Sequence, residues 1–506
     1  MPDKPNILLF FTDMQRADTI GALGNPVIKT PALDRLVKDG TSFTNAFTPC
    51  PVCIPARCSM QYGLYPSATK CAENYAMMSD NEASYPQMLG SAGYRTHAVG
   101  KCHFSPVWDA LRGFHTRETQ EEGVPADDDY SKYLMQNGID DYEPHGVRSE
   151  MYYIPQPSRL PEKHHPSQWV GDRSLNFITR TREPWCLFSS FIHPHPPFTP
   201  PRPWHKLYRP HNMPLPRITQ DMESLYTSIN RIQNRYKYQD HGINLNLLRL
   251  QKAYYYAAIS FVDYQIGRII EYLEKSGQID NTLIIFTSDH GEYLGDYHCF
   301  GKRSMHDASA RIPFIIRYPE KYSRNRQSDL PVSLVDVMPT FLGAAGINQP
   351  EHLHGLDINA LLSGSKKREY VFSQWSRCTN AQYMIAGREW KYFYSAADEK
   401  EFLFNRITDP QETRNAASLA CNSEVKKRLR TELMNFLQRT GENEAMDETT
   451  MTWKKFPAKN AGQDYNTGNL FSSTHLPADP DSCLLLQDPP EKKMPDSAGY
   501  KRYSAL

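Results

Sequence analysis

The sequence predicts an α/β fold: a large, mostly parallel sheet sandwiched by helices, followed by a smaller antiparallel α+β unit. Three observations carry that expectation. Apolar runs too short for buried helices alternate with helical patterns as far as about residue 345, which is the β/α alternation of a parallel sheet covered on both faces. Four of these runs stop at carboxylates, histidines or a lysine, the position at which open parallel sheets bind ligands. Beyond about residue 365 short strand-like segments follow one another and end in one helix, the pattern of a small α+β unit. At 506 residues the chain also exceeds the usual size of one core, and the expected boundaries are 1–364, 365–441 and a terminal segment 442–506.

In chain order, Asn6-Ile7-Leu8-Leu9-Phe10-Phe11-Thr12 reads as a strand buried on both faces that delivers Asp13 at its carboxyl end. Thr30 as N-cap, Pro31 in the first helical position and Gly40 at the end delimit a short helix. In Cys53-Ile54-Pro55-Ala56-Arg57, Pro55 and an apolar pattern ending at Gly63 place Cys53 at a helix N-terminus, where exposed amides and the dipole favour anions. On the residues alone, Cys50-x-x-Cys53 also fits a redox pair or half a zinc site, and Cys53 a structural thiol. Tyr94-Arg95-Thr96-His97-Ala98-Val99-Gly100 puts Lys101 and His103 just past a strand. From 104 to 184 the pattern dissolves into Pro, His, Tyr, Asp and Trp, including Tyr152-Tyr153, His164-His165 and Trp169. So long an insert is expected to wall the substrate pocket.

The run from Trp185 to Ile192 then ends in His193 and His195, a helical pattern covers 247–275, and the run from Thr282 to Ser288 ends in Asp289 and His290. Ser363-Gly364-Ser365-Lys366-Lys367-Arg368 reads as the domain join. Strands are expected near 370–375, 382–386, 390–394 and 402–404, and a helix over 424–439. Residues 442–506 carry few apolar side chains in any period. They read as a disordered tail or as an arm wrapping this or another subunit, through which a homo-oligomer would form.

Lys plus Arg and Asp plus Glu number 57 each, so no global field draws nucleic acid or an anionic membrane, and neither is an expected partner. No stretch reaches the apolar length of a transmembrane helix, and no signal-peptide pattern precedes the first strand. The chain as written reads as cytoplasmic, or as periplasmic or secreted if a signal has been trimmed. Ten cysteines without a dense framework fit a reducing compartment, with Cys50, Cys58, Cys71 and Cys102 as packing residues near the site.

The Cys53–Arg57 segment does not stand alone. It occurs with Asp13, with Gly100-Lys101-Cys102-His103, with His195 and with Asp289-His290. Further on come Gly301-Lys302-Arg303-Ser304-Met305-His306-Asp307, Ala310-Arg311-Ile312-Pro313 and His354-Gly355-Leu356-Asp357. In order and approximate spacing this set resembles the type I, formylglycine-dependent sulfatases of the alkaline phosphatase superfamily, over about residues 5 to 440. The resemblance implies an alkaline phosphatase-like sheet in a catalytic first domain and hydrolysis of a sulfate monoester. It implies that a separate formylglycine-generating maturation enzyme oxidises Cys53. A thiol attacking sulfur would leave a stable thiosulfate ester, whereas a hydrated aldehyde keeps a second hydroxyl that expels sulfate.

The same resemblance implies a divalent cation, usually Ca2+, held by Asp13, Asp289, His290 and the modified Cys53. Carboxylates suit a hard cation and His290 is the less typical ligand. Many sulfatases carry a second Asp or Gln directly after the first Asp; here Met14 stands there, and strand alternation points Gln15 away from Asp13. By resemblance Arg57 fixes the formylglycine hydrate and Lys101 holds it or the sulfate. His103 takes the proton of the second hydroxyl, and His195 with Lys302 binds the sulfuryl group and protonates the leaving oxygen. His193 is the better fit to a core histidine. Asn74, Trp108, His306 and Arg311 are pocket candidates weighed evenly against simple packing.

A small sulfated substrate, a carbohydrate or another organic sulfate, fits a walled pocket best. Phosphonate monoester and phosphodiester hydrolases share the modified cysteine and the Asp-His segment but commonly lack the Gly-Lys-x-His element. Choline sulfatase is similar in Gly-Lys-x-His-Phe and Pro-His stretches, with Trp108, Trp169 or Trp204 as an aromatic box for its amine. An inactive binder of sulfated ligands is the non-enzymatic alternative, supported by Met14.

Overall fold

The computed structural model describes residues 4–74, 82–121, 127–139, 144–146, 153–182, 184–238 and 244–456. Its centre is a mixed sheet built from β1 (Asn6–Thr12), β2 (Thr41–Phe43), β3 (Arg95–Gly100), β4 (Thr116–Thr119), β5 (Trp185–Phe191), β6 (Thr282–Ser288), β7 (Phe314–Arg317) and β8 (Arg326–Ser328). The spatial order is β4-β3-β5-β1-β6-β7-β2-β8. The first five strands in that order run parallel, while β7 is antiparallel to both neighbours. Registers pair Phe11 with Ser190 and Thr287, and Gly100 with Ser190, so β3, β5, β1 and β6 end level with one another.

Alternation along β1 splits the core into two layers. Ile7, Leu9 and Phe11 pack on one face with Ile54 and Ala56 of α2 (Cys53–Tyr62). Leu8 and Phe10 pack on the other with α1 (Pro31–Asp39), α3 (Pro166–Arg180) and α4 (Leu245–Lys275). Each such side chain contributes about 1.5–3 kcal/mol on burial, so the run is apolar at every position because neither face of the strand meets water.

The helix expected over 30–40 is present, but Thr30 does not cap it. Its hydroxyl accepts the Gly21 N–H and donates to Asp34, while the N–H groups of Ala32 and Leu33 go to the buried Asp263 of α4. A carboxylate from a distant helix thus takes the place of the local cap. The insert over 104–184 is not structureless: β4 extends the sheet edge and α3 covers a sheet face. Pro166 occupies the first turn of α3, and the His165 side chain accepts the Ser167 N–H. Other parts of the insert, Tyr152 among them, lie outside the described residues.

After the join, β9 (Val371–Trp375), β10 (Gln382–Ala386), β11 (Trp390–Ser395) and β12 (Lys400–Asn405) form an antiparallel sheet in that order. Met384, Phe393, Phe402 and Phe404 face Phe47 and Val52. Tyr383, Ile385, Tyr392 and Leu403 face α5 (Ser423–Arg439). Residues 442–456 belong to this unit rather than to a tail. Trp453 stacks on Tyr394 at 4.2 Å, and Glu442 accepts from Gln374 and Tyr383. The remainder of the expected tail, and the oligomer contact read into it, lie outside the described residues. No helix among the described residues is long and apolar enough to cross a membrane.

Candidate active site

Four adjacent strand ends deliver the polar side chains: Asp13 follows β1, Asp289 and His290 follow β6, Lys101 follows β3, and His195 lies beyond β5. All five are buried. Cys53 is the first residue of α2, and the next amide, that of Ile54, donates to Asn74 Oδ1 at 3.2 Å. Asn74 therefore satisfies one of the orphan amides at this helix start.

Arg57, one turn further along α2, organises the carboxylates. Its Nη2 lies 3.1 Å from Asp13 Oδ2 and its Nε 3.2 Å from Asp289 Oδ2. Nη1 donates to Ser190 Oγ at 3.1 Å and to the Lys101 carbonyl, and the guanidinium lies over Phe11. Lys101 Nζ also meets Asp13 Oδ2, at 2.7 Å. Both Oδ2 atoms are thus tied to cations, and both Oδ1 atoms face one point. Asp13 Oδ1 is 3.8 Å from Cys53 Sγ and 3.9 Å from His290 Nε2. Asp289 Oδ1 accepts the amides of Met14 and His290 and lies 3.5 Å from His290 Nε2. His290 Nδ1 pairs with the Gly291 carbonyl at 3.0 Å, which assigns the proton to Nδ1 and leaves Nε2 turned to Cys53 Sγ at 3.3 Å. The four donor atoms lie within 4.8 Å of one another.

On the other side of this group, Lys302 Nζ is 2.9 Å from Cys53 Sγ, 3.5 Å from His195 Nε2 and 3.6 Å from Met14 Sδ. His195 Nδ1 pairs with the Pro196 carbonyl, turning Nε2 to Lys302. The charges interact strongly. Burial pushes Asp13 up, but Lys101, His195, Arg57 and Lys302 together hold it well below the usual carboxylate range. Burial and the Asp13 charge lift Asp289 to about 6. For Cys53, burial and Asp13 oppose ionisation, and Lys302, Lys101 and His290 outweigh them, lowering the thiol to about 6.

The backbone here is specialised. A Cβ at Gly100, whose φ is 91°, would lie 1.9 Å from the Ser190 carbonyl, so β3 and β5 approach too closely for any side chain. Met14 and His103 take left-handed φ of 62° and 54° without being glycine. Met14 thereby turns its side chain to Lys302. Gln15 turns away, its amide on Thr19.

The other sequence candidates are placed as follows. His103 is half-buried, with its N–H on Glu121. Trp108 is half-buried, with its carbonyl on Arg117. His306 does not line a pocket: it is 1% exposed, pairs with the Tyr293 hydroxyl at 2.6 Å, and is ringed by Tyr297, Phe393, Phe402 and Phe404. Arg311 pairs with Asp307 and lines a separate small cleft with Arg16, Asp18 and Arg217. His193 is a core histidine between Ser167 and Thr199. Trp169 packs on Tyr130 in the core and Trp204 on Phe261 and Tyr264. Glu121 and Ser190 are site neighbours that sequence reasoning missed. Ser190 was visible as a polar residue inside the apolar run of β5, whereas Glu121 carries no local signal.

A model of the sulfatase family matches residues 5–347, and one described as N-sulphoglucosamine sulphohydrolase, C-terminal, matches residues 295–439. An arylsulfatase of Clostridium perfringens is 30% identical over 84% of this chain and 92% of its own. A choline-sulfatase of Rhizobium meliloti is 30% identical over 82% of each chain. A phosphonate monoester hydrolase of Agrobacterium radiobacter shares the fold, with a TM-score of 0.75 over 86% of this chain and 96% of its own at 24% identity.

Proposed function

The chain belongs to the sulfatase family, within the alkaline phosphatase superfamily, and from that premise we propose that it hydrolyses the sulfate monoester of a carbohydrate or other small organic molecule. The observation that carries this reading is the convergence on Cys53 Sγ of a donor set from one side and of Lys302 from the other.

The donor set fits a divalent cation. Two carboxylate oxygens left over by Arg57 and Lys101, the His290 nitrogen and the residue 53 side chain would hold it. With Met14 adding no oxygen, this is a smaller hard-oxygen set than calcium prefers. When present, the cation would supply positive charge to the sulfuryl oxygens, and formylglycine made from Cys53 by its maturation enzyme would supply a hydrated aldehyde as nucleophile.

The remaining work falls to this chain's own residues. Arg57 fixes both carboxylates and, through α2, the residue 53 backbone. Lys101 holds Asp13 ionised at the mouth of the donor set. Lys302 presents a cation to the incoming anionic ester, and His195, adjacent to it, gives a proton to the leaving oxygen. His103 accepts the proton that frees sulfate. All of these groups except His103 are under a tenth exposed, so charge interactions among them act at low dielectric.

The test is turnover of an aryl sulfate and an aryl phosphonate by protein whose Cys53 has been converted to formylglycine. Faster sulfate turnover is expected. Faster phosphonate turnover would move the assignment to phosphonate hydrolysis, and no turnover of either with retained binding of a sulfated sugar would leave a binding protein.

A further inference from the structure

Residues 101–110 carry Lys101, His103 and Trp108, and this loop is gripped at both ends from one strand. Glu121, two residues beyond β4, directs its carboxylate at the start of the loop. Its Oε1 accepts the N–H of Cys102 at 3.0 Å and of His103 at 3.2 Å, and its Oε2 accepts the same His103 N–H at 3.0 Å. Arg117, within β4, holds the far end. Its Nη1 donates to the carbonyls of Trp108 and Ala110, and its guanidinium lies 4.6 Å from the Phe104 ring centre. The two side chains are joined, Nη2 to Oε1 at 3.0 Å, and are only 2% and 4% exposed.

A buried ion pair of this kind is a weak stabilising device, because desolvation offsets most of its attraction. What it does achieve is directional. Successive amides converging on one carboxylate fix the peptide planes on either side of Cys102, the second of which leads into His103, and His103 sits at φ 54°, a conformation a non-glycine residue holds only where its surroundings impose it. Neither side chain belongs to the donor set.

We propose that Glu121, backed by Arg117, is a positioning residue that aims His103 at residue 53, so that His103 can accept the proton in the sulfate-releasing step. This inference rests on the role given to His103 above, and no bond to substrate is assigned to the pair itself. Glu121 acts through the backbone: its carboxylate holds the turn, and the turn holds the imidazole.

The experiment compares full-length, formylglycine-matured wild type, Glu121→Gln, His103→Ala and the double variant with an aryl sulfate. Glu121→Gln keeps the shape and removes the charge. It is expected to lower kcat by roughly 10–100-fold with KM nearly unchanged, and to displace the limb of the pH–kcat profile that disappears in His103→Ala. In the His103→Ala background the same substitution is expected to cost less than about 2-fold, because its partner is already gone. Additive losses in the double variant, or wild-type kcat in Glu121→Gln, would overturn the proposal. Arg117→Met serves as the second variant should Glu121→Gln not fold, with the same expected non-additivity. If matured wild type turns over neither ester, the functional reading has failed rather than the clamp. Hydrogen exchange over 101–110 then decides the clamp: faster exchange there in Glu121→Gln sustains it, and unchanged exchange overturns it.

Discussion

Two buried clusters of charge in this molecule look alike in composition and differ in whether the polar atoms of several residues converge on one point. In the cluster at the seam with the C-terminal sheet, every carboxylate oxygen faces a cation or an amide. Asp307 Oδ1 meets Lys391 at 2.7 Å and Arg406 at 2.9 Å, and its Oδ2 meets Arg406 and Arg311. Glu412 pairs with Lys391 through Oε1 and accepts the Asp307 amide through Oε2. In the cluster around Cys53, Arg57 and Lys101 hold the Oδ2 atoms and Lys302 meets the sulfur, while single donor atoms of Asp13, Asp289, His290 and Cys53 converge within 4.8 Å of one another. Both clusters distort acidities: Asp307 is held well below its usual range despite burial, chiefly by Arg406 and Lys391, and Glu412 is lifted to about 7 by burial and Asp307. Perturbed acidity therefore does not separate a site from a joint, whereas donor atoms of four residues aimed at one point do.

The largest effect expected is on chemistry. Cys53→Ala should lower kcat of the matured enzyme by about 10,000-fold or more while the melting temperature moves by only a few degrees, as seen by parallel turnover and thermal-unfolding assays. The second is its mirror image. Lys391→Met should cost about 3–5 kcal/mol in denaturant unfolding, because it takes the lysine from buried Glu412 and one of three cations from Asp307, yet leave kcat/KM of the folded enzyme within about 3-fold. A Lys391→Met protein of wild-type stability that had lost activity would erase the distinction between the clusters.

The third concerns pH. Glu412 titrates at about 7 in the fold against an ordinary value of 4.5, so the folded state keeps a proton that the unfolded state releases. Stability should fall as pH rises from about 4.5 to about 7 and level off above that, by as much as a few kcal/mol. Urea midpoints across that window should decline less steeply for Glu412→Gln than for wild type; equal slopes would remove Glu412 as the cause. The smallest effect tests Met14. Because its Sδ lies 3.6 Å from Lys302 Nζ, residue 14 faces the site, and Met14→Asp should tighten Ca2+ binding about 10-fold by adding a hard oxygen. Calorimetry showing no gain would mean that the new carboxylate pairs with Lys302 instead.

The strand ends were legible in the sequence because a buried parallel strand must be apolar throughout, which makes Asp13, Asp289 and His195 conspicuous where the run stops. The C-terminal strands and α5 were legible for a similar reason, since alternation and helical spacing are local. What stayed hidden depends on contacts far apart in the chain. Asp263 caps α1 across about 230 residues, and nothing near Thr30 reports that its hydroxyl is otherwise engaged. His306 reads as a polar member of the lysine segment until Phe393, Phe402 and Phe404 arrive from the C-terminal sheet to enclose it. The strand β4 and helix α3 were masked by the Pro and His residues around them, and Trp453 looked like part of a tail because its stacking partners, Tyr383 and Tyr394, lie about 60 to 70 residues earlier.

The contrast between the clusters is tested most directly by calorimetric titration of metal-free full-length protein with Ca2+ and Mn2+, comparing wild type, Asp289→Asn and Glu412→Gln. Wild type and Glu412→Gln should each take up one equivalent with similar affinity, and Asp289→Asn should bind at least about 10-fold more weakly. Wild-type affinity in Asp289→Asn, or an equal loss in Glu412→Gln, would contradict the assignment of the converging donors around Cys53 as the metal-dependent centre.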